Sequence, residues 1–255
     1  MAEATVVSQQ PVSGDYNTLI MEVPEVSSIV KPGQFIHMRV PRLEHLVLRR
    51  PFSVFRADDK HLTLLYKRVG KGTESMTLLT TGDEIDLMGP LGNGFPMECD
   101  GDPVLVAGGY GVAPLYLLAE RLGRTGDIFI GGRSADDVLC VEDFKKLGWT
   151  VHVSTDDGSM GEEGLVTETM GRWLAGQADE KVFYACGPDG MLRAVGDIGI
   201  GRDNFAWLSL DKHMGCGAGA CLACVQRVRD EEGNETWARV CREGPVFDAR
   251  DIIWP

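Results

Sequence analysis

The chain has 255 residues, 44% hydrophobic and 25% charged, with a formal net charge of −13. This is the composition of an ordinary globular protein, long enough for two domains and a small appendage. No stretch approaches the ~20 apolar residues of a membrane span, and the acidic balance speaks against nucleic-acid binding, which runs on clustered Lys and Arg.

Residues 1–98 read as β. Strand-like runs are expected at Tyr16–Val23, Gln34–Val40, Phe52–Ala57, His61–Arg68 and Glu84–Met88, separated by turn signals such as Lys31-Pro32-Gly33 and Thr81-Gly82-Asp83. Short strands at this spacing predict an antiparallel barrel or sandwich. One helix is expected over Thr73–Thr80, with Thr73 as its N-cap. Inside this region Arg50-Pro51-Phe52-Ser53 offers a planar guanidinium for phosphate, an aromatic face, and a hydroxyl for a ring nitrogen. The stretch Leu65 to Thr73 ends at the expected helix start, an anion-friendly place. Read singly, these are equally a surface arginine, a core phenylalanine and a charged strand end.

From Asp102 the texture changes to alternating strands and helices. Strands are expected at Pro103–Ala107, Ile128–Ile130, Thr150–Ser154, Lys181–Ala185 and Asn204–Ser209. Helices are expected at Val112–Gly123, Glu142–Leu147, Leu165–Gly176 and Gly190–Ile198. That alternation predicts a parallel sheet covered by helices. Two glycine loops follow strands: Gly108 to Gly111, leading into a helix with Pro114 in its first turn, and Cys186-Gly187-Pro188. The first lacks the third glycine of the dinucleotide fingerprint. Ligands of such sheets lie beyond the carboxyl ends of the strands, so the two loops could converge on one dinucleotide, with Cys186 beside its reactive ring. Arg133 follows the second strand, where an arginine can meet a 2′-phosphate; Asp136 and Asp137 would oppose it, which favours NAD over NADP.

Near the C-terminus Cys216, Cys221, Cys224 and Cys241 are spaced C-x4-C-x2-C-x16-C. The first three match the ligand spacing of plant-type [2Fe–2S] ferredoxins, and Gly215, Gly217 and Gly219 allow the loop to wrap tightly. Zinc, which prefers paired short knuckles, and disulfides, which need an oxidising compartment, are the competing readings. Cys99 and Cys140 read as buried small hydrophobes. Met1 to Gln10 has no apolar signal-peptide region, so a cytoplasmic location is expected. The domain division expected is 1–100, 101–210 and 211–255.

In order, these pieces resemble the ferredoxin reductase superfamily: RPFS (Arg50 to Ser53) its flavin motif, GKGT (Gly70 to Thr73) its pyrophosphate loop, GGYGVAP (Gly108 to Pro114) and CGP (Cys186 to Pro188) its nicotinamide motifs. HMGCGAGACLACV (His213 to Val225) and VCREGPVF (Val240 to Phe247) narrow the resemblance to the electron-transfer subunits of NAD-linked, class 1B dihydroorotate dehydrogenases. GPLGNGF (Gly89 to Phe95) and STDDGS (Ser154 to Ser159) fit as well.

The resemblance implies FAD in a β-barrel domain, NAD in an α/β domain and one [2Fe–2S] cluster in a small C-terminal domain. Flavin contacts would fall on Arg50, Pro51, Phe52, Ser53, Leu65, Tyr66, Lys67, Gly72 and Thr73. Gly108, Gly109, Gly111, Pro114, Cys186, Gly187 and Pro188 would hold NAD, and the four C-terminal cysteines the cluster. Ser53 and Cys186 would serve the chemistry. The implied partner is an FMN-containing dihydroorotate dehydrogenase catalytic subunit, in a heterotetramer of two plus two, feeding electrons through cluster and FAD to NAD+ during pyrimidine (UMP) synthesis. A related ferredoxin, sulfide or sulfite oxidoreductase subunit is the nearest alternative. A non-catalytic metal- or nucleotide-binding regulator is the alternative of another class.

Overall fold

The computed structural model describes residues 1–40 and 48–255. Its first unit is an antiparallel sheet of β1 (Ala2–Ser13), β2 (Tyr16–Glu22), β3 (Phe35–Met38), β4 (Arg50–Ser53), β5 (Arg56–Ala57), β6 (His61–Lys67) and β7 (Glu84–Leu91), in the order β4-β3-β7-β1-β2-β6-β5. The sheet curls so that β4 meets β6, with the rings of Phe52 and Tyr66 6.2 Å apart and edge to face. Leu19, Met21, Ile36, Met38, Leu62 and Leu64 fill the interior. Two short helices, α1 (Pro24–Ser27) and α2 (Lys71–Met76), cap it.

Several expectations are corrected here. β1 was not foreseen; its Ser-Gln-Gln-Pro run hides the alternation that buries only Ala4 and Val6. The run Phe52–Ala57 is not one strand but two, because Val54 and Phe55 turn the chain inward. Thr73 is not an N-cap. The helix starts at Lys71, and the Thr73 hydroxyl accepts hydrogen bonds from the amides of Val69 (2.9 Å) and Gly70 (3.2 Å).

The second unit contains β8 (Asp102–Gly108), β9 (Asp127–Gly132), β10 (Thr150–Thr155), β11 (Glu162–Glu163), β12 (Lys181–Cys186) and β13 (Phe205–Ser209), all parallel, in the order β11-β10-β9-β8-β12-β13. Both faces are covered, which is why β8 and β12 read as continuous apolar runs. Leu105, Ile128, Ile130 and Tyr184 pack one face against α3 (Val112–Arg121) and α4 (Val141–Lys146). Val106, Phe129, Phe183 and Ala185 pack the other against α5 (Val166–Leu174) and α6 (Asp189–Gly201). Helix α3 is buried on nearly every side because it also meets the barrel: Leu117 belongs to the barrel core, and the Arg121 guanidinium donates to the carbonyls of Val30 (2.5 Å) and Ala57 (3.0 Å).

The C-terminal segment carries a hairpin, β14 (Val225–Arg229) and β15 (Glu235–Arg239), and then β16 (Val246–Asp248). β16 joins the nucleotide sheet antiparallel to β13. The C-terminal segment is thus stitched to the second unit through a strand that its three residues could not announce in sequence. Among the described residues, no helix is long and apolar enough to cross a membrane.

Candidate functional site

A cavity of about 530 Å³ opens between the barrel and the parallel sheet. All nine residues of the expected flavin set line it: Arg50, Pro51, Phe52 and Ser53 on β4, Leu65, Tyr66 and Lys67 on β6, and Gly72 and Thr73 on α2. The pairing of Ser53 with Phe35 sets the register of β4. The Tyr66 hydroxyl is buried and faces Gln9 without completing a hydrogen bond, and burial pushes its pKa up to about 12. The cavity wall mixes apolar faces with Arg50, Ser53, Lys67 and Thr73, a lining that fits a ring system carrying phosphates. A Cβ on Gly72 would be in ordinary contact with Val40 and Arg50, so this glycine sits beside the Arg50 guanidinium in the cavity wall.

Of the expected nicotinamide residues, only Cys186 lines this cavity. The rest build the wall behind it. β8 and β12 are neighbours, so Gly108 to Gly111 and Cys186 to Pro188 emerge side by side. A Cβ on Gly111 would lie 2.0 Å from the Cys186 carbonyl oxygen, and one on Gly108 2.7 Å from Pro188. The two glycine loops therefore converge as expected, and side chains there would separate them. Pro114 is buried in the first turn of α3. Burial, reinforced by the negative charge of Asp211, pushes the Cys186 thiol up to about 12, so it is a neutral thiol at physiological pH and not a nucleophile.

Val69, Gly70 and Lys71 of the Leu65 to Thr73 stretch also line the cavity, and Phe35, Tyr110, Ala113, Ser209, Leu210, Asp211, Met214 and Pro245 complete the lining and were missed. Ser209 ends β13, the next parallel strand, and the strand-end rule could have found it. Tyr110 sits inside the glycine motif; its hydroxyl lies 3.3 Å from Asp211. The Lys67 ammonium lies 2.6 Å from Asp137, which also accepts a 2.7 Å hydrogen bond from the Tyr16 hydroxyl. Asp137 thus ties the nucleotide unit to the barrel. Burial would raise its pKa, but the bonds from Lys67 and Tyr16 outweigh that and hold it below the ordinary value.

The four C-terminal cysteines come as two pairs. The Cys221 amide donates to the Cys216 sulfur at 3.4 Å, and the Cys241 amide to the Cys224 sulfur at 3.4 Å. The amides of Ala218 (3.4 Å) and Ala220 (3.2 Å) also point at the Cys216 sulfur. Burial opposes it, but these amides bring the Cys216 thiol down to about 6. Two thiol pairs suit a binuclear centre held by four cysteines. Cys221 is exposed, whereas Cys224 and Cys241 are buried in the hydrophobic cluster that contains Phe35 of β3. Arg239, paired with Glu243, donates to the Gly219 carbonyl at 2.9 Å and braces the loop. The residues present fit a flavin, a nicotinamide dinucleotide and a [2Fe–2S] cluster.

Comparisons with known proteins agree. Residues 211–253 match the iron-sulfur cluster binding domain of dihydroorotate dehydrogenase B, and 105–197 match an oxidoreductase NAD-binding domain. The chain is 40% identical to the dihydroorotate dehydrogenase B (NAD(+)) electron transfer subunit of Shouchella clausii, covering 98% of this chain and 96% of that one. It is 40% identical to that of Geobacillus kaustophilus, covering 98% and 97%. Among solved structures, that of an NADH-dependent reduced ferredoxin-NADP oxidoreductase superposes with a TM-score of 0.87 at 30% identity, covering 98% of this chain and 90% of that one. A ferredoxin reductase of carbazole 1,9a-dioxygenase shares the fold, with a TM-score of 0.69 at 20% identity over 80% of this chain and 66% of that one. This chain belongs to the family of electron transfer subunits of NAD+-linked dihydroorotate dehydrogenase B.

Proposed function

We propose that this chain relays electrons to NAD+ from an FMN-containing subunit that oxidises dihydroorotate, two copies of each forming the complex, in the synthesis of UMP. The observation that carries the reading is the adjacency of the two expected redox sites. Met214 and Pro245, which flank the four cysteines in sequence, line the same cavity as the flavin set and Cys186. A flavin bound there supplies the exchange between a hydride's electron pair and the cluster's single electrons.

The residues then have separate tasks. Arg50 offers its guanidinium to phosphate, and Ser53 a hydroxyl to the flavin ring. Leu65, Tyr66 and Lys67 with Pro51 and Phe52 wall the ring, while Gly72 and Thr73 present backbone and hydroxyl to the pyrophosphate. Gly108, Gly109 and Gly111 deliver the N-terminus of α3 to the dinucleotide, a favourable end for anions. Gly187 and Pro188 shape the facing loop, Pro114 starts α3, and Cys186 borders the nicotinamide as a neutral wall. Cys216, Cys221, Cys224 and Cys241 hold the cluster. The division 1–100, 101–210 and 211–255 follows these tasks.

Co-expression with the candidate catalytic subunit tests the reading. Dihydroorotate-dependent NAD+ reduction is expected only when both chains are present. A chain that binds FAD and iron but supports no such turnover with that partner would contradict it, and copurification with a different oxidoreductase would favour the ferredoxin-linked alternative.

A further inference from the structure

His37 joins the two expected redox sites and belongs to neither. It lies on β3, where side chains alternate between faces. Ile36 and Met38 enter the barrel core, whereas Phe35 and His37 take the opposite face, and Phe35 packs with Cys224 and Cys241. Across the sheet His37 pairs with Pro51 of the flavin strand β4. On its other side is the cysteine loop: a Cβ on Gly217 would fall 2.4 Å from His37 Nδ1, so the glycine backbone lies directly on the imidazole. The side chain is fully buried. Its nitrogens face the backbone of Cys216 and Arg49, yet neither completes a well-formed hydrogen bond among the described residues. The ring therefore acts by its shape.

We propose that His37 is a positioning residue, a spacer that seats the Cys216–Cys221 loop against β4 and so fixes the separation of cluster and flavin. This rests on the relay reading above. Electron exchange between two fixed centres falls steeply with their separation, so a spacer buried between their supports would govern that step and leave hydride transfer between the two nucleotides untouched.

The test uses the full-length, anaerobically prepared, cofactor-loaded chain and follows flavin and cluster absorbance after rapid mixing with NADH. His37→Ala should keep wild-type FAD and iron and reduce its flavin at the wild-type rate. Its flavin-to-cluster step should slow by about tenfold or more, the scale of ångström-level misplacement, with a changed visible circular dichroism of the cluster. His37→Phe, which keeps a ring in place, should restore that step to within about threefold. The proposal is overturned if His37→Ala transfers at the wild-type rate, if both of its steps slow equally, or if His37→Phe is as slow as His37→Ala. Should His37→Ala lose its iron, His37→Phe decides: iron-loaded and fast sustains the proposal, iron-free or slow overturns it. Wild-type protein without FAD or iron would instead overturn the relay reading itself.

Discussion

At the scale of single residues, the site depends on places where a side chain is forbidden. Gly217 has a positive φ of 66° and no room beside His37. Gly217→Ala should therefore displace the cysteine loop and lower iron per chain while leaving bound FAD at the wild-type level, as iron and flavin assays would show. Unchanged iron would contradict the packing described. Cys186 makes the opposite kind of prediction. As a buried thiol with a pKa of about 12, it should resist iodoacetamide at pH 7 in the native protein and react only after unfolding; ready labelling of the native chain would mean that it is ionised or open. That the set proposed for the flavin lines one cavity, and that the cysteines group together, was legible because each motif is local in sequence and chemically distinctive. His37 was not, since a lone histidine within Phe35–Met38 reads as core. Only the fold brings Gly217 to it.

At the scale of elements, the segment Gly89 to Phe95 shows what sequence alone leaves unassigned. Asn93 of this segment donates its backbone amide to the Gly244 carbonyl at 2.6 Å and its side-chain amide to the Glu243 carbonyl at 2.9 Å. It pins the turn beyond Cys241 to the barrel. Asn93→Ala removes the side-chain bonds to the Glu243 and Arg242 carbonyls, worth about 1 kcal/mol together at this exposed site. It should quicken iron loss to a chelator, read as bleaching of the cluster absorbance, without loss of FAD; an unchanged bleaching rate would show the pin to be irrelevant. The alternating strands and helices from Asp102 were legible because parallel strands buried on both faces make continuous apolar runs. β1 was not, because half of it is polar and edge-like. β16 was too short to carry any period, and its place depends on β13.

At the scale of the whole molecule, two units and a C-terminal segment enclose one cavity, and charged contacts between units hold it in shape. Asp137 is central, bonded to Tyr16 at the start of β2 and Lys67 at the end of β6. Its carboxyl titrates below the ordinary 3.8 in the folded chain. A carboxylate depressed in this way stabilises the fold above its unfolded pKa, and that contribution disappears as pH falls through the folded value. Asp137→Asn should thus lower Tm by about 2–4 °C at pH 7, as expected of roughly 1 kcal/mol in a chain of this size. The difference should shrink as pH falls through the folded value. A difference independent of pH would assign the loss to packing. Such contacts between distant segments have no sequence signature, and Lys67, legible only as a cavity residue, turned out to hold two units together.

The proposed relay requires the four cysteines to carry a binuclear iron–sulfur centre beside a flavin. Low-temperature electron paramagnetic resonance on anaerobically purified, chemically reduced protein, with metal and flavin analysis of the same sample, tests it most directly. About two irons and two sulfides per chain, the spin-½ signal of a reduced [2Fe–2S] centre, and one bound FAD are expected. Folded protein that contains zinc in place of iron, or that gives no such signal, would contradict it.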